Sequence, residues 1–146
     1  MKELEPEIYA EIVELCDSGD RYADEEKFDI ALSQYYKALH MIPDPKEEWV
    51  ASTWILTAIG DAYFLMKNYS ESLKILQDVM YCPDAIGNPF IHLRLGQVQY
   101  ELGNFCRALD ELTRAYMGEG QEIFAEEDPK YLTWVKQRIR SPIKGW

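Results

Sequence analysis

The sequence predicts an all-α protein of three helix-turn-helix repeats followed by a C-terminal capping helix. Three observations carry that expectation. Gly19, Gly60 and Gly96 stand inside helix-compatible stretches, where a glycine costs about 1 kcal/mol relative to alanine. The same residue types recur at fixed distances after each glycine. Helix-ending and helix-opening residues separate the stretches, as in "PDP" at 43–45, Asn88–Pro89 and Asp128–Pro129.

The recurrence is specific. Nine residues after the three glycines lie Phe28, Tyr69 and Phe105, all aromatic; twelve after lie Ala31, Ser72 and Ala108, all small. Sixteen after lie Tyr35, Leu76 and Leu112, all large, and nineteen after lie Ala38, Val79 and Ala115. Two helices that pack closely antiparallel need small residues where their backbones approach. The pairs expected to do this are Gly19 with Ala31, Gly60 with Ser72 and Gly96 with Ala108. The aromatic residue before each small one is expected to plug the space between neighbouring hairpins.

Seven helices follow in order. Pro6 opens the first, which runs to Asp24. The second spans 27–41 and is closed by "PDP". The third spans 46–66 and is long because the "DPKEEWVAS" insert continues into helix-compatible residues. The fourth spans 70–81 and stops before Pro83. Asn88 caps the fifth, with Pro89 at its first position. The sixth spans 105–117 and is closed by Gly118. Asp128 caps the seventh, with Pro129 at its first position, and it runs to Arg140. A short helical turn over "EIFAEE" precedes it. Tyr131, Leu132, Val135 and Ile139 share one side of the last helix, which is amphipathic. Repeat stacks need such a helix to give the end a polar outer face. Trp146, in "SPIKGW", has no assigned burial.

These residues resemble the tetratricopeptide repeat, W-x2-L-G-x2-Y…A-x3-F…P with a period of 34. Leu15, Gly19, Tyr22, Ala31, Tyr35, Ala38 and Pro43 match in the first copy, and Leu56, Gly60, Tyr63 and Tyr69 in the second. Gly96, Phe105, Ala108 and Ala115 match in the third, which has His92 for the early large residue and Gly120 where proline is usual. The resemblance covers roughly residues 12–122 and implies a right-handed solenoid. It places repeats at about 12–45, 53–86 and 89–122 and a cap at about 129–140, all in one domain over residues 1–146. Gly19 and Gly60 are 41 residues apart and Gly60 and Gly96 are 36 apart, so the repeats are not regular.

In that family the first helix of each pair lines a concave trough. The trough residues so implied are Asp17, Asp20 and Asp24 beside Val13 and Cys16; Trp54, Asp61 and Phe64 beside Thr57 and Ala58; and Phe90, Arg94, Gln97, Tyr100 and Glu101 beside Leu93. They form an acidic, aromatic-rich surface with one arginine. The family's clamp for the carboxylate of a chaperone tail is not expected here. Arg94 stands in the place of its arginine, but Asp20 and Ala58 replace its asparagines, and Cys16 and Phe90 its lysines. An aspartate facing a carboxylate repels it. A basic or aromatic-rich protein surface is the expected partner, since aromatic rings hold cations by about 0.5–2 kcal/mol each.

The formal charge is −11 over 146 residues. Residues 1–29 hold eleven acids against Lys2, Arg21 and Lys27, and after Asp128 there are five basic residues and no acid. An acidic body disfavours nucleic acid as a partner. There is no membrane-length apolar run, and the acidic start "MKELEPEIYAEI" lacks the apolar run of a secretory signal, so a cytoplasmic chain is expected. Cys16, Cys82 and Cys106 are widely spaced and read as reduced thiols. No nucleophile, phosphate-loop, dinucleotide or metal motif occurs. His40 and His92 read as structural. The expectation is therefore a non-enzymatic binding module with no catalytic residues, metal or cofactor, monomeric or weakly self-associating. The acidity, the size and the "EEDPKYLTWVK" ending also faintly resemble small bacterial immunity proteins of this repeat family, which implies neutralisation of a toxin. A secretion-type chaperone or a self-associating assembly adaptor is the alternative.

Overall fold

A computed structural model describes residues 3–140; the tail with Trp146 lies outside the described residues. Seven α-helices run as α1 (Pro6–Asp24), α2 (Phe28–His40), α3 (Val50–Leu65), α4 (Tyr69–Val79), α5 (Pro89–Glu101), α6 (Phe105–Glu119) and α7 (Pro129–Lys136). Two 3-10 turns, Lys46–Glu48 and Gly120–Phe124, interrupt the series, and the described residues contain no strand. The chain forms two compact units, residues 1–86 with α1 to α4 and residues 87–146 with α5 to α7. In each hairpin, α1–α2, α3–α4 and α5–α6, consecutive helices pack on each other.

Several helix starts follow from local chemistry. The Asn88 side chain accepts the amides of Phe90 and Ile91 at 3.0 and 3.3 Å. Asp128 accepts the amide of Lys130 at 2.9 Å. Each satisfies donors that the first helical turn leaves unpaired, and each is followed by a proline that has no donor to satisfy.

Three boundaries differ from expectation. The third helix does not run unbroken from residue 46, because Trp49 is extended (φ −110, ψ 133) and separates the Lys46–Glu48 turn from α3. That conformation makes Trp49 the N-cap residue of α3, with its carbonyl accepting the Ser52 amide at 3.1 Å. The sixth helix continues through Gly118 and stops at Gly120, whose φ of +69 no helix can continue. Gly118 is needed for close packing instead, since a Cβ there would lie 2.6 Å from Pro89 Cγ. The last helix ends at Lys136 rather than Arg140. The Arg138 guanidinium turns back to take the Trp134 carbonyl at 3.1 Å, satisfying one of the orphan acceptors of the last turn.

The register glycines are close-approach positions, and the side chain nearest to each is the large one sixteen residues on. A Cβ at Gly19 would meet the Tyr35 ring at 2.5 Å, one at Gly60 the Leu76 side chain at 2.6 Å, and one at Gly96 Leu112 Cγ at 2.5 Å. The large residue sixteen positions on fills the space the glycine leaves. The small residue twelve on is buried in each hairpin, and in the second its hydroxyl bonds the glycine: Ser72 Oγ donates to the Gly60 carbonyl at 2.7 Å.

Candidate protein-binding surface

In residues 87–146, one face of α5 is already occupied by the chain's own C-terminal elements. Arg94 donates to Gln97 Oε1 at 2.7 Å and pairs with Glu127, and Gln97 Nε2 donates to the same Glu127 oxygen at 2.8 Å. Arg94 also lies 4.8 Å from the Phe90 ring centroid. Tyr100 packs edge-on against Tyr131 and Trp134 at 5.3 and 5.2 Å between centroids. Phe105 completes this aromatic group at 5.5 Å from Tyr100 and 5.9 Å from Trp134. Glu101 accepts Lys130 Nζ at 2.7 Å. Leu93, Leu112, Ala115, Phe124, Tyr131 and Val135 form the apolar core beneath.

This corrects the expectation of an open surface at Arg94 and Gln97; Phe90, Tyr100 and Glu101 are half-buried and contact the chain's own side chains. Gln97 is fully buried and Arg94 is 6% exposed. The cause is mutual satisfaction: a buried guanidinium needs a paired, hydrogen-bonded carboxylate, and Glu127 supplies one. The basic residues of α7 and of the turn after it are likewise engaged from within, with Lys130 on Glu101, Lys136 on Gln121 at 3.0 Å and Arg138 over the Trp134 ring at 4.7 Å.

His92 is structural, as expected. Its Nε2 accepts the Gly87 amide at 2.9 Å, so Nδ1 carries the proton and donates to Glu111 at 2.6 Å. Both ring nitrogens are thereby committed.

In residues 1–86 the corresponding side chains stay accessible. Asp17, Asp20 and Asp24 are exposed on α1, and Trp54, Asp61 and Phe64 are half-buried on α3. Pro6, Tyr9, Val13, Cys16, Asp17, Asp20 and Asp24 recur at three- and four-residue steps and so share one side of α1. Trp54, Thr57, Ala58, Asp61 and Phe64 do the same on α3. Tyr35 of α2 donates its hydroxyl to Asp20 at 2.6 Å. Burial pushes the Tyr35 hydroxyl's pKa up, and the bond to Asp20 and the fields of Asp20 and Asp61 add to it. Burial, then Asp20 and Asp17, push the Cys16 thiol up to about 11. Cys16, Asp20, Asp61 and Tyr35 therefore share one neighbourhood in which negative potential accumulates.

At the other end of these stripes Tyr9 and Trp54 meet edge-on at 6.4 Å between centroids. They line a surface groove of ≈ 470 Å³ together with Glu3, Leu4, Pro6, Trp49, Val50 and Ala51. Tyr9 and Trp49 were not among the expected site residues. The signal available for Trp49 was the insert itself, a tryptophan following the "DPKEE" turn.

The NMR structure of the first TPR domain of the human RPAP3 protein matches this chain with a TM-score of 0.63 and 17% identity, covering 88% of this chain and 98% of that one. The chain has the tetratricopeptide-repeat fold. At that identity the likeness bears on fold alone. No family model matches the sequence, and neither does any curated protein. Tetratricopeptide register makes the two units comparable: Asp20, Asp61 and Gln97 each follow their glycine directly, and Asp24, Leu65 and Glu101 stand five residues after it. The third repeat uses these positions to hold its own Glu127 and Lys130, whereas the first two carry mainly aspartate. Among the described residues no tetratricopeptide helix is long and apolar enough to cross a membrane.

Proposed function

We propose that this chain is a protein-binding module whose surface on α1 and α3, built from Asp17, Asp20, Asp24, Trp54, Asp61 and Phe64, takes a basic partner protein. The observation that carries this is the placement of charge. Residues 1–86 hold eighteen acids against seven basic residues, a net of −11, and residues 87–146 hold eight of each. The whole formal charge thus belongs to the unit that carries these α1 and α3 residues. A carboxylate field of this kind raises the association rate of a cationic protein. Binding rather than catalysis is the chemistry these residues offer: burial pushes the Cys16 and Cys82 thiols up, and both His92 ring nitrogens are taken by Gly87 and Glu111. An immunity protein that neutralises a basic bacterial toxin is the specific form this reading takes.

The test is charge reversal. Asp20→Lys combined with Asp61→Lys is expected to lose the partner from a pull-down in the native host while far-ultraviolet circular dichroism keeps its helical signature. Retention of the same partner by the folded variant overturns the reading.

A further inference from the structure

Only a neutral imidazole can make both of the hydrogen bonds that His92 makes. Its Nε2 accepts the Gly87 amide at 2.9 Å, and its Nδ1 meets Glu111 at 2.6 Å. A protonated ring carries an N–H on both nitrogens and has no acceptor. Protonation therefore turns an Nε2–H against the Gly87 N–H, and that bond must break. The Glu111 bond survives, because a charged ring donates to a carboxylate more strongly than a neutral one. Acid removes one of the two bonds and strengthens the other. The ring is buried on α5, and Glu111 is half-buried on α6. Among the described residues Glu111 is the one charged group in contact with the ring. Arg94, two residues along α5, pairs with Glu127. The Gly120–Phe124 turn also packs on α5, and no hydrogen bond or ion pair from it reaches the ring. Burial and the facing amide favour the neutral ring, and the Glu111 carboxylate favours the charged one.

Gly87 is placed to let go. It is exposed, its φ is +87, and nothing lies within 4 Å of a Cβ added to it. Water can take its amide once the ring releases it, so the cost of release is small. Helix α5 does not depend on the bond, because Asn88 caps it through the amides of Phe90 and Ile91. Gly87 is also the first residue of the second unit, and Ile86 before it is exposed. We infer that His92 is a pH-sensitive latch on the segment by which the chain enters the second unit. The neutral ring holds Gly87. The protonated ring keeps Glu111 and releases Gly87, which frees the turn before α5 while the helix stays formed.

Nitrogen-15 NMR of the full chain between about pH 8 and pH 5 follows the ring and the amide together. At the upper end the His92 ring is expected as the Nδ1–H tautomer, with the Gly87 amide protected from exchange. On acidification the protection factor of Gly87 is expected to fall about tenfold, with the same midpoint as the His92 ring nitrogens. Far-ultraviolet circular dichroism is expected to stay constant over that range. The titration of His40 in the same spectra is expected to leave Gly87 unmoved. His92→Gln offers Gly87 an acceptor that does not titrate, and is expected to remove the pH dependence. His92→Leu is expected to leave Gly87 unprotected throughout. Gly87 protection that persists after the His92 ring has titrated overturns the latch. So does a ring that stays neutral until the whole chain unfolds. A loss of Gly87 protection in His92→Gln at the original midpoint assigns the response to another group and overturns it as well. The titration of the unaltered chain decides the matter even where a variant fails to fold.

Discussion

The Tyr35 hydroxyl on α2 donates to the Asp20 carboxylate on α1 at 2.6 Å, while the same ring covers the space left open at Gly19. One side chain therefore seals the first hairpin and fixes a carboxylate of the proposed binding surface. Tyr35→Phe keeps the ring and deletes the bond. Because Asp20 is exposed and water can replace the donor, the expected loss is about 1 kcal/mol, or a few degrees in Tm. Thermal unfolding followed by circular dichroism checks it. A much larger loss would mean the hydroxyl has a second role in the core.

Alkaline pH should destabilise this protein earlier than its composition suggests. Cys16 moves from an ordinary 9.0 up to about 11, mainly through burial and then through Asp20 and Asp17. Tyr35 and Tyr36 are pushed up as well, by burial first and then by their bonds to Asp20 and Tyr63. In each case the folded state holds its proton more tightly than the unfolded one. The contribution is fully present below the unfolded values and is lost as pH rises through them towards the folded ones. Urea midpoints should stay level to about pH 9 and then fall, with Cys16→Ala and Tyr36→Phe each flattening the decline. A midpoint unchanged from pH 8 to 11 contradicts this.

The glycines fall into two groups that substitution separates. Gly96→Ala gains about 1 kcal/mol of helix propensity but drives a Cβ to 2.5 Å from Leu112 Cγ and 2.9 Å from the Leu112 backbone nitrogen. Backbone cannot move aside cheaply, so the overpacking cost, about 1–3 kcal/mol, should exceed the gain. Gly60→Ala meets the Leu76 side chain, which can turn away, and should be milder. Gly103 has φ +83 and nothing within 4 Å of an added Cβ. There the cost is conformational, about 1–2 kcal/mol for alanine, and Gly103→Asn should recover most of it. Equal effects of Gly96→Asn and Gly103→Asn would refute the division.

What the sequence made legible follows the range of the interactions. Asn88–Pro89 and Asp128–Pro129 act within four residues, so their caps were readable as written. The glycine register was readable because it repeats. The expected approach of Ser72 to Gly60 is present as a hydrogen bond, and the large side chain sixteen residues on also reaches back over each glycine. Arg94 with Glu127 and Glu101 with Lys130 are 33 and 29 residues apart. Nothing local marks such pairs, and so the α5 face was expected to be open. On α1, Asp17, Asp20 and Asp24 are exposed, and the hydroxyl that bonds Asp20 comes from Tyr35, only 15 residues away in the same hairpin. Trp49 was hidden by propensity: every residue from 46 to 66 tolerates a helix, and only the cap requirement of α3 breaks it.

Asp24 closes α1, where the partial negative charge of the helix terminus disfavours a carboxylate by about 0.3–1 kcal/mol. Asp24→Asn should raise the urea midpoint by the corresponding amount with no change in slope, and it should weaken binding of a cationic partner. Stability and affinity moving in opposite directions is the signature expected of a residue retained for binding. A variant that gains stability and binds equally well would remove Asp24 from the surface.

Glu127 offers the sharpest test of how the α5 face is closed. Its side chain, 15% exposed, serves the buried Arg94 guanidinium and the Gln97 amide together. Glu127→Ala leaves that guanidinium buried without its carboxylate, a defect that costs about 3–5 kcal/mol. Glu127→Gln keeps an acceptor for both donors and should cost clearly less. The loss should be local before it is global, because Glu127 lies between the Gly120–Phe124 turn and α7. In native-state hydrogen exchange, α7 amides of Glu127→Ala should therefore lose protection first, with Lys130 released from Glu101 and the rings of Tyr100 and Trp134 exposed to solvent. If α7 keeps its protection in Glu127→Ala, the aromatic group rather than the buried pair holds the helix in place, and Trp134→Ala should then release it alone.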